Sequence, residues 1–159
     1  MNRPAVVDVA SDDWRRWRTL RLRALAESPE AFGTRLADVH DREASWRARI
    51  AAAEACLVAL DGDRPVAMVA LDRGTDGLVL QSMFVVPEAR GRGVGTALVD
   101  AVVERAAGRR LVLGVMTENA GAIAVYERAG FVRDVEVTGV PCEVTMRFVP
   151  PSKESDHAR

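Results

Sequence analysis

Phe84-Val85-Val86-Pro87-Glu88-Ala89-Arg90-Gly91-Arg92-Gly93-Val94-Gly95-Thr96-Ala97-Leu98 is the stretch that decides the fold of this 159-residue chain. It runs from a β-rich segment, Leu78 to Val86, into an amphipathic one. Val94, Ala97, Leu98, Ala101 and Val102 recur at i, i+3, i+4, i+7 and i+8, which predicts a helix over Gly93 to Ala107 with Gly108 as its stop. At the junction of strand and helix stand Gly91, Gly93 and Gly95 with Arg90 and Arg92. Glycine lets the backbone turn tightly, and the free amides of a helix start favour an anion. The turn therefore reads as a pyrophosphate cradle. It is not a P-loop, because no lysine precedes Lys153. Nor is it a dinucleotide fingerprint, because Thr96 and Leu98 stand where the third glycine is required.

Upstream, Ala5 to Val9 predicts a first strand. Ser11 is positioned to cap a helix carrying Trp14, Trp17, Leu20, Ala24 and Leu25 on its apolar side, with arginines on the other. That helix ends near Ser28-Pro29. Pro29 to His40 is irregular, and Asp41 to Glu54 is helical around Trp46 and Ile50. Ala55 to Leu60 and Pro65 to Leu71 form a hairpin about Asp61-Gly62-Asp63. Downstream, the unbroken apolar run Leu111 to Met116 predicts a strand buried on both faces. Asn119 caps a helix running to Ala129, with Gly130 as its stop. Phe131 to Thr138 and Glu143 to Val149 make a last hairpin about Gly139-Val140-Pro141. The expected class is α/β, a mixed and mostly antiparallel sheet with helices on both faces.

Length and a 48% hydrophobic content fit one domain over residues 1–149, with Pro150 to Arg159 as a disordered tail. The 22 basic residues face 23 acidic ones, and their net of -1 argues against nucleic acid. No apolar run is long enough for a membrane, and Met1 to Ala10 lacks a leader's apolar core, so a cytoplasmic setting is expected. His40 and His157, with Cys56 and Cys142, have no metal-ligand spacing, and no metal is expected.

Two motifs carry a resemblance. Arg90-Gly91-Arg92-Gly93-Val94-Gly95 is similar to the R/Q-x-x-G-x-G/A turn of the GNAT superfamily of N-acetyltransferases. Asn119-Ala120-Gly121-Ala122-Ile123-Ala124-Val125-Tyr126-Glu127-Arg128-Ala129-Gly130-Phe131 resembles its N-x-x-A-x-x-x-Y-x-x-x-G-F motif. Leu22 to Thr34 looks like the corresponding stretch of small bacterial members whose substrates are unassigned. The resemblance implies the acyl-CoA N-acyltransferase fold. It implies acetyl-CoA in a V-shaped opening between the strand ending at Val86 and the strand Leu111 to Met116. Pantetheine would pair with the backbone of Met83, Phe84 and Val85, and pyrophosphate would sit on Gly91 to Thr96 beside Arg90 and Arg92. Asn119 would contact the cofactor. Tyr126 would be the general acid, and strand amides the oxyanion hole.

The same resemblance exposes a departure. The positions where relatives carry a glutamate base hold Gln81 and Gly114 here. Glu118 and His40 are the remaining candidates. Missing the base matters least for a weakly basic acceptor: at pH 7 an α-amine is roughly 10–15% neutral, a lysine about 0.04%. The implied activity is acetyl transfer to the primary amine of a small molecule or peptide by direct attack. The alternative is a non-catalytic acyl-CoA-binding module. Phe32, Glu27 and Glu30 would flank the acceptor, Trp14, Trp17 and Trp46 would pack in the core, Cys142 is the candidate for an acetyl-cysteine route, and the resemblance admits a homodimer.

Overall fold

The computed structural model describes residues 3–134 and 143–152. The strands are β1 (Ala5–Asp8), β2 (Ala55–Asp61), β3 (Arg64–Arg73), β4 (Leu78–Val85), β5 (Leu111–Met116), β6 (Phe131–Arg133) and β7 (Glu143–Phe148). The helices are α1 (Trp14–Glu27), α2 (Glu43–Ala52), α3 (Val94–Ala106) and α4 (Ala120–Ala129). They build one seven-stranded sheet in the order β1-β2-β3-β4-β5-β7-β6. All neighbours are antiparallel except β4 and β5, the pair joined by the crossover helix α3.

Register shows which helix covers which face. Ala67 and Asp72 differ by an odd number on β3 and so project to opposite sides. Asp72 receives two hydrogen bonds from Arg49 of α2, at 2.8 and 2.9 Å. Ala67 pairs with Val85, and a Cβ on Gly95 of α3 would lie 3.4 Å from Met83 Cε and 3.7 Å from Val85 Cγ2. Hence α2 lies on one face and α3 on the other. Helix α1 packs on α2, β3 and β4, and α4 on α3 and β6. The apolar stripes bury Trp17, Leu20 and Ala24 on one side of the sheet and Leu98, Val99 and Val102 on the other.

Several local expectations change. Ser11 does not cap α1; Ser11–Asp13 is a 3-10 turn without a side-chain cap. Helix α3 stops one residue early, because Ala107 already adopts a left-handed conformation (φ 51) ahead of Gly108. Strand β5 is buried on one face only. Leu111, Leu113 and Val115 are in the core, whereas Gly114 is exposed. The last two strands pair antiparallel, and β7 lies between β5 and β6. The Gly139-Val140-Pro141 turn, Cys142 and the tail from Lys153 lie outside the described residues.

Candidate functional site

Strands β4 and β5 are in register at Leu78 with Leu111 and at Val79 with Val112, and nowhere further among the described residues. Beyond that point they part. The edge of β4 from Leu80 to Val85 that faces β5 therefore has no ladder partner, and a V opens between the strands. Strand β4 also bulges. Ala70 pairs with Gln81 and Met68 with Phe84, so three steps on β4 oppose two on β3, and Ser82 takes a left-handed conformation (φ 56). An extra residue leaves a strand amide outside the ladder. It also switches the alternation: Gln81 stays on the α1–α2 face, while Met83 and Val85 meet α3.

The V ends at the glycine turn. Gly91 (φ 76) and Gly93 (φ 79) are both left-handed, which an L side chain adopts at a cost of roughly 1–2 kcal/mol. The Ala97 amide finds its helical acceptor in Gly93 O at 3.0 Å. The amides of Val94, Gly95 and Thr96 precede it, and no side chain caps this helix end. Arg90, though exposed, folds back on β4: its Nε donates to Val85 O at 2.9 Å and its guanidinium lies 5.8 Å from the Phe84 ring. Arg92 is exposed. Asn119 is a true N-cap, its Oδ1 accepting from Ala122 N at 3.2 Å. Tyr126 is buried on α4, its ring 5.8 Å from that of Phe131, and burial pushes its phenol well above the usual range.

The turn is clamped from outside. Arg23 of α1 donates to both Glu88 oxygens at 2.7 and 2.8 Å and to Glu27 at 2.8 Å, and Arg64 also donates to Glu88. The Arg23 hydrogen bonds hold the Glu88 carboxyl down to about 2, from 4.5. A depressed carboxyl stabilises the fold above its unfolded value, and that stabilisation disappears as pH falls through the folded value. Thermal melts of wild type and Glu88→Gln should thus differ most above about pH 5 and converge towards pH 2. A gap that persists unchanged at pH 2 would show that the clamp does not act through this ionisation.

Residues Gln81 and Gly114 lack carboxylates, but the structure supplies one that sequence reading passed over. Glu143 is paired with Met116 across β5 and β7, and its side chain folds back over Gly114. A Cβ on Gly114 would collide with Glu143 Oε1 and would lie 2.8 Å from its Cδ. By alternation from Val79 and Val112, Gln81 and Gly114 share the α1–α2 face on either arm of the V. The Glu143 carboxylate thus occupies the space a side chain at 114 would fill. The available signal was a glycine inside an apolar strand, which marks a close approach.

Glu118 is exposed in the turn before α4. His40 precedes α2 in the irregular segment, with its carbonyl accepting from Arg42 N. Trp14, Trp17 and Trp46 are core residues, as expected, and Trp46 Nε1 donates to Asp41 at 2.9 Å. Glu27 is tied to Arg23, and Glu30 is exposed. Cys56 is buried, and desolvation lifts its thiol to about 11. A surface cavity of about 390 Å³ between the β3–β4 turn and the loop after α3 lies at the far end of β4, and its arginines are paired with Glu54 and Asp76. Among the described residues no His/Cys/Asp/Glu group could hold a metal. No described helix is long and apolar enough to cross a membrane.

The Acetyltransferase (GNAT) family matches residues 12–131. An uncharacterized N-acetyltransferase of Methanocaldococcus jannaschii is 48% identical over 63 residues, covering 38% of this chain and 28% of that protein. An L-methionine sulfoximine/L-methionine sulfone acetyltransferase of Pseudomonas aeruginosa is 33% identical over 78 residues, 47% of this chain and 43% of that protein. The matched stretches thus span less than half of either relative. Among solved structures, a phosphinothricin acetyltransferase of Sinorhizobium meliloti in complex with acetyl-CoA superposes with a TM-score of 0.72 at 17% identity, over 95% of this chain and 94% of that one. At this identity the likeness concerns the fold.

Proposed function

The chain belongs to the acetyltransferase (GNAT) family, and from that premise we propose that it transfers the acetyl group of acetyl-CoA to the primary amine of a small molecule by direct attack. The carrying observation is the V between β4 and β5 closed by an uncapped helix start. The open β4 edge at Met83, Phe84 and Val85 suits an extended amide-bearing arm. The amides of Gly91 to Thr96, with Arg92, suit a pyrophosphate. Arg90 holds the strand end against the turn, and Asn119 keeps its side-chain NH2 group for a contact while its oxygen caps α4. A thioester supplies the activated acetyl group. The amide freed by the bulge at Ser82 receives the negative charge that develops on the carbonyl oxygen.

Glu143 accepts the proton that the amine sheds as its nitrogen bonds to the acetyl carbon, directly or through one water. Tyr126 donates towards the departing sulfur. A ping-pong route through Cys56 has the wrong chemistry, because a thiol raised to about 11 supplies little thiolate near neutrality. A small-molecule acceptor fits the named activity of the Pseudomonas relative.

Thiol release measured against a panel of amino acids, polyamines, aminoglycosides and peptides tests the proposal. One acetylated amine per CoA released is expected, with no acetyl group on Cys56 or Cys142 during turnover. Glu143→Gln should lower turnover by about 10²-fold, the lower end of general-base contributions, with CoA affinity retained. Tight CoA binding without transfer to any amine would favour the binding-module reading.

A further inference from the structure

Helix α1 carries one residue out of keeping with its buried stripe. Trp14, Trp17, Arg21 and Ala24 follow one another at i, i+3, i+7 and i+10, so an arginine stands at an apolar position rather than on the solvent face with the others. Its Nη1 is buried with no hydrogen-bond acceptor. Its guanidinium stacks 4.8 Å above the Phe32 ring, and the charge it feels most is the like charge of Arg49. Among the described residues no carboxylate pairs with it. Guanidinium does not shed its proton in a protein, so the charge must be compensated. A cation–π contact lacks the acceptor oxygens that would do so. The guanidinium's fixed fork matches a carboxylate bidentately.

Its neighbours locate it. Arg49 is fixed to Asp72, Asp72 is in register with Val79 on β4, and Gln81 follows two residues on. The orphaned cation is therefore on the α1–α2 face of the sheet, the same face as Gln81, Gly114 and Glu143. That face brings a half-buried, uncompensated guanidinium together with the Glu143 carboxylate, which has no ion-pair partner among the described residues. The pair is complementary to a zwitterion.

Resting on the transferase reading above, we infer that Arg21 and Phe32 form a subsite for the carboxylate of the acceptor, so that the acceptor class is amino acids and their close analogues. The irregular α1–α2 segment then has a purpose: it brings Phe32 back over Arg21 and walls off the subsite.

The test pairs each amino acid with its own carboxamide, which keeps the amine and side chain but removes the charge, and adds a tetrapeptide whose carboxylate is remote from its amine. Wild type should prefer the free acid over the carboxamide and the tetrapeptide, mainly through KM. Arg21→Gln should bring the acid-to-carboxamide ratio of kcat/KM towards one, a fall of about 10- to 100-fold, as expected for a hydrogen-bonded charge pair, and Arg21→Lys should recover part of it. Binding of the amino acid to the CoA-loaded protein, followed by calorimetry, reads the subsite without turnover. Equal use of acid and carboxamide by wild type overturns the subsite and leaves the transferase standing, as does an Arg21→Gln variant that retains the preference. Carboxylate-dependent binding without any acetyl transfer leaves the subsite standing and removes the transferase. Should Arg21→Gln fail to fold, the wild-type comparison and the Lys variant decide.

Discussion

Gly93→Glu is expected to weaken CoA binding by about 10²- to 10³-fold while leaving a folded protein. Gly93 sits in a left-handed conformation just before α3, and a Cβ there would meet nothing within 4 Å. Steric damage is therefore absent. The conformational cost of roughly 1–2 kcal/mol is partly offset, because a carboxylate beside an uncapped helix start gains about 0.3–1 kcal/mol. The ligand, however, meets a like charge in place of free amides. At about 4 Å and an effective dielectric near 20, one such repulsion amounts to about 4 kcal/mol, and partial screening brings it to the stated range. Gly93→Ala carries the same backbone cost without the charge, so it separates the two effects. Calorimetric titration with CoA, alongside thermal melts, reads both variants. A folded Gly93→Glu protein with parental affinity would move the pyrophosphate elsewhere.

The elements that sequence made legible are those governed by local chemistry. The β2–β3 hairpin turns at Gly62, whose φ of 60 is what a tight turn demands. The stripes of α3 and α4, the Asn119 cap and the left-handed Gly130 all follow from residues within a few positions of one another. The glycine turn was legible for the same reason. What escaped notice depends on pairing at a distance. The bulge at Ser82 exists because β3 and β4 must satisfy two registers at once, and serine does not announce a positive φ. The one-sided burial of β5 follows from its divergence from β4, which no feature of Leu111 to Met116 records. Glu143 reaches Gly114 because β7 enters between β5 and β6. Arg21 reads as one more solvated arginine because composition makes arginine unremarkable in this chain, although its spacing from Trp14 and Trp17 points it inward. Glu143 and Arg21 both stand on the face where the acceptor is proposed to sit, whereas the cofactor side is written in contiguous motifs.

Tyr126→Phe should cut turnover by about 10²- to 10⁴-fold with CoA affinity nearly unchanged. Removing one hydroxyl leaves the ring contact with Phe131 and the α4 stripe intact, so stability should scarcely move. The form of the catalysis follows from burial. Desolvation raises the phenol above its usual value, which is already above that of a thiol near 8.5. Complete proton transfer from Tyr126 to a free thiolate is therefore uphill. The hydroxyl instead donates a hydrogen bond to sulfur as negative charge develops, and the buried setting strengthens that bond. Two consequences can be measured. The rate should show no alkaline fall from Tyr126 ionisation up to about pH 10, since burial keeps the phenol protonated. Moreover, an acyl donor whose leaving thiol is a stronger acid than CoA should suffer less from the Phe substitution, because less charge on sulfur needs stabilising. A Phe variant with full turnover on a good acceptor would take Tyr126 out of the mechanism and leave it as packing for Phe131. A loss equal for every leaving group would assign it to positioning rather than to the departing sulfur.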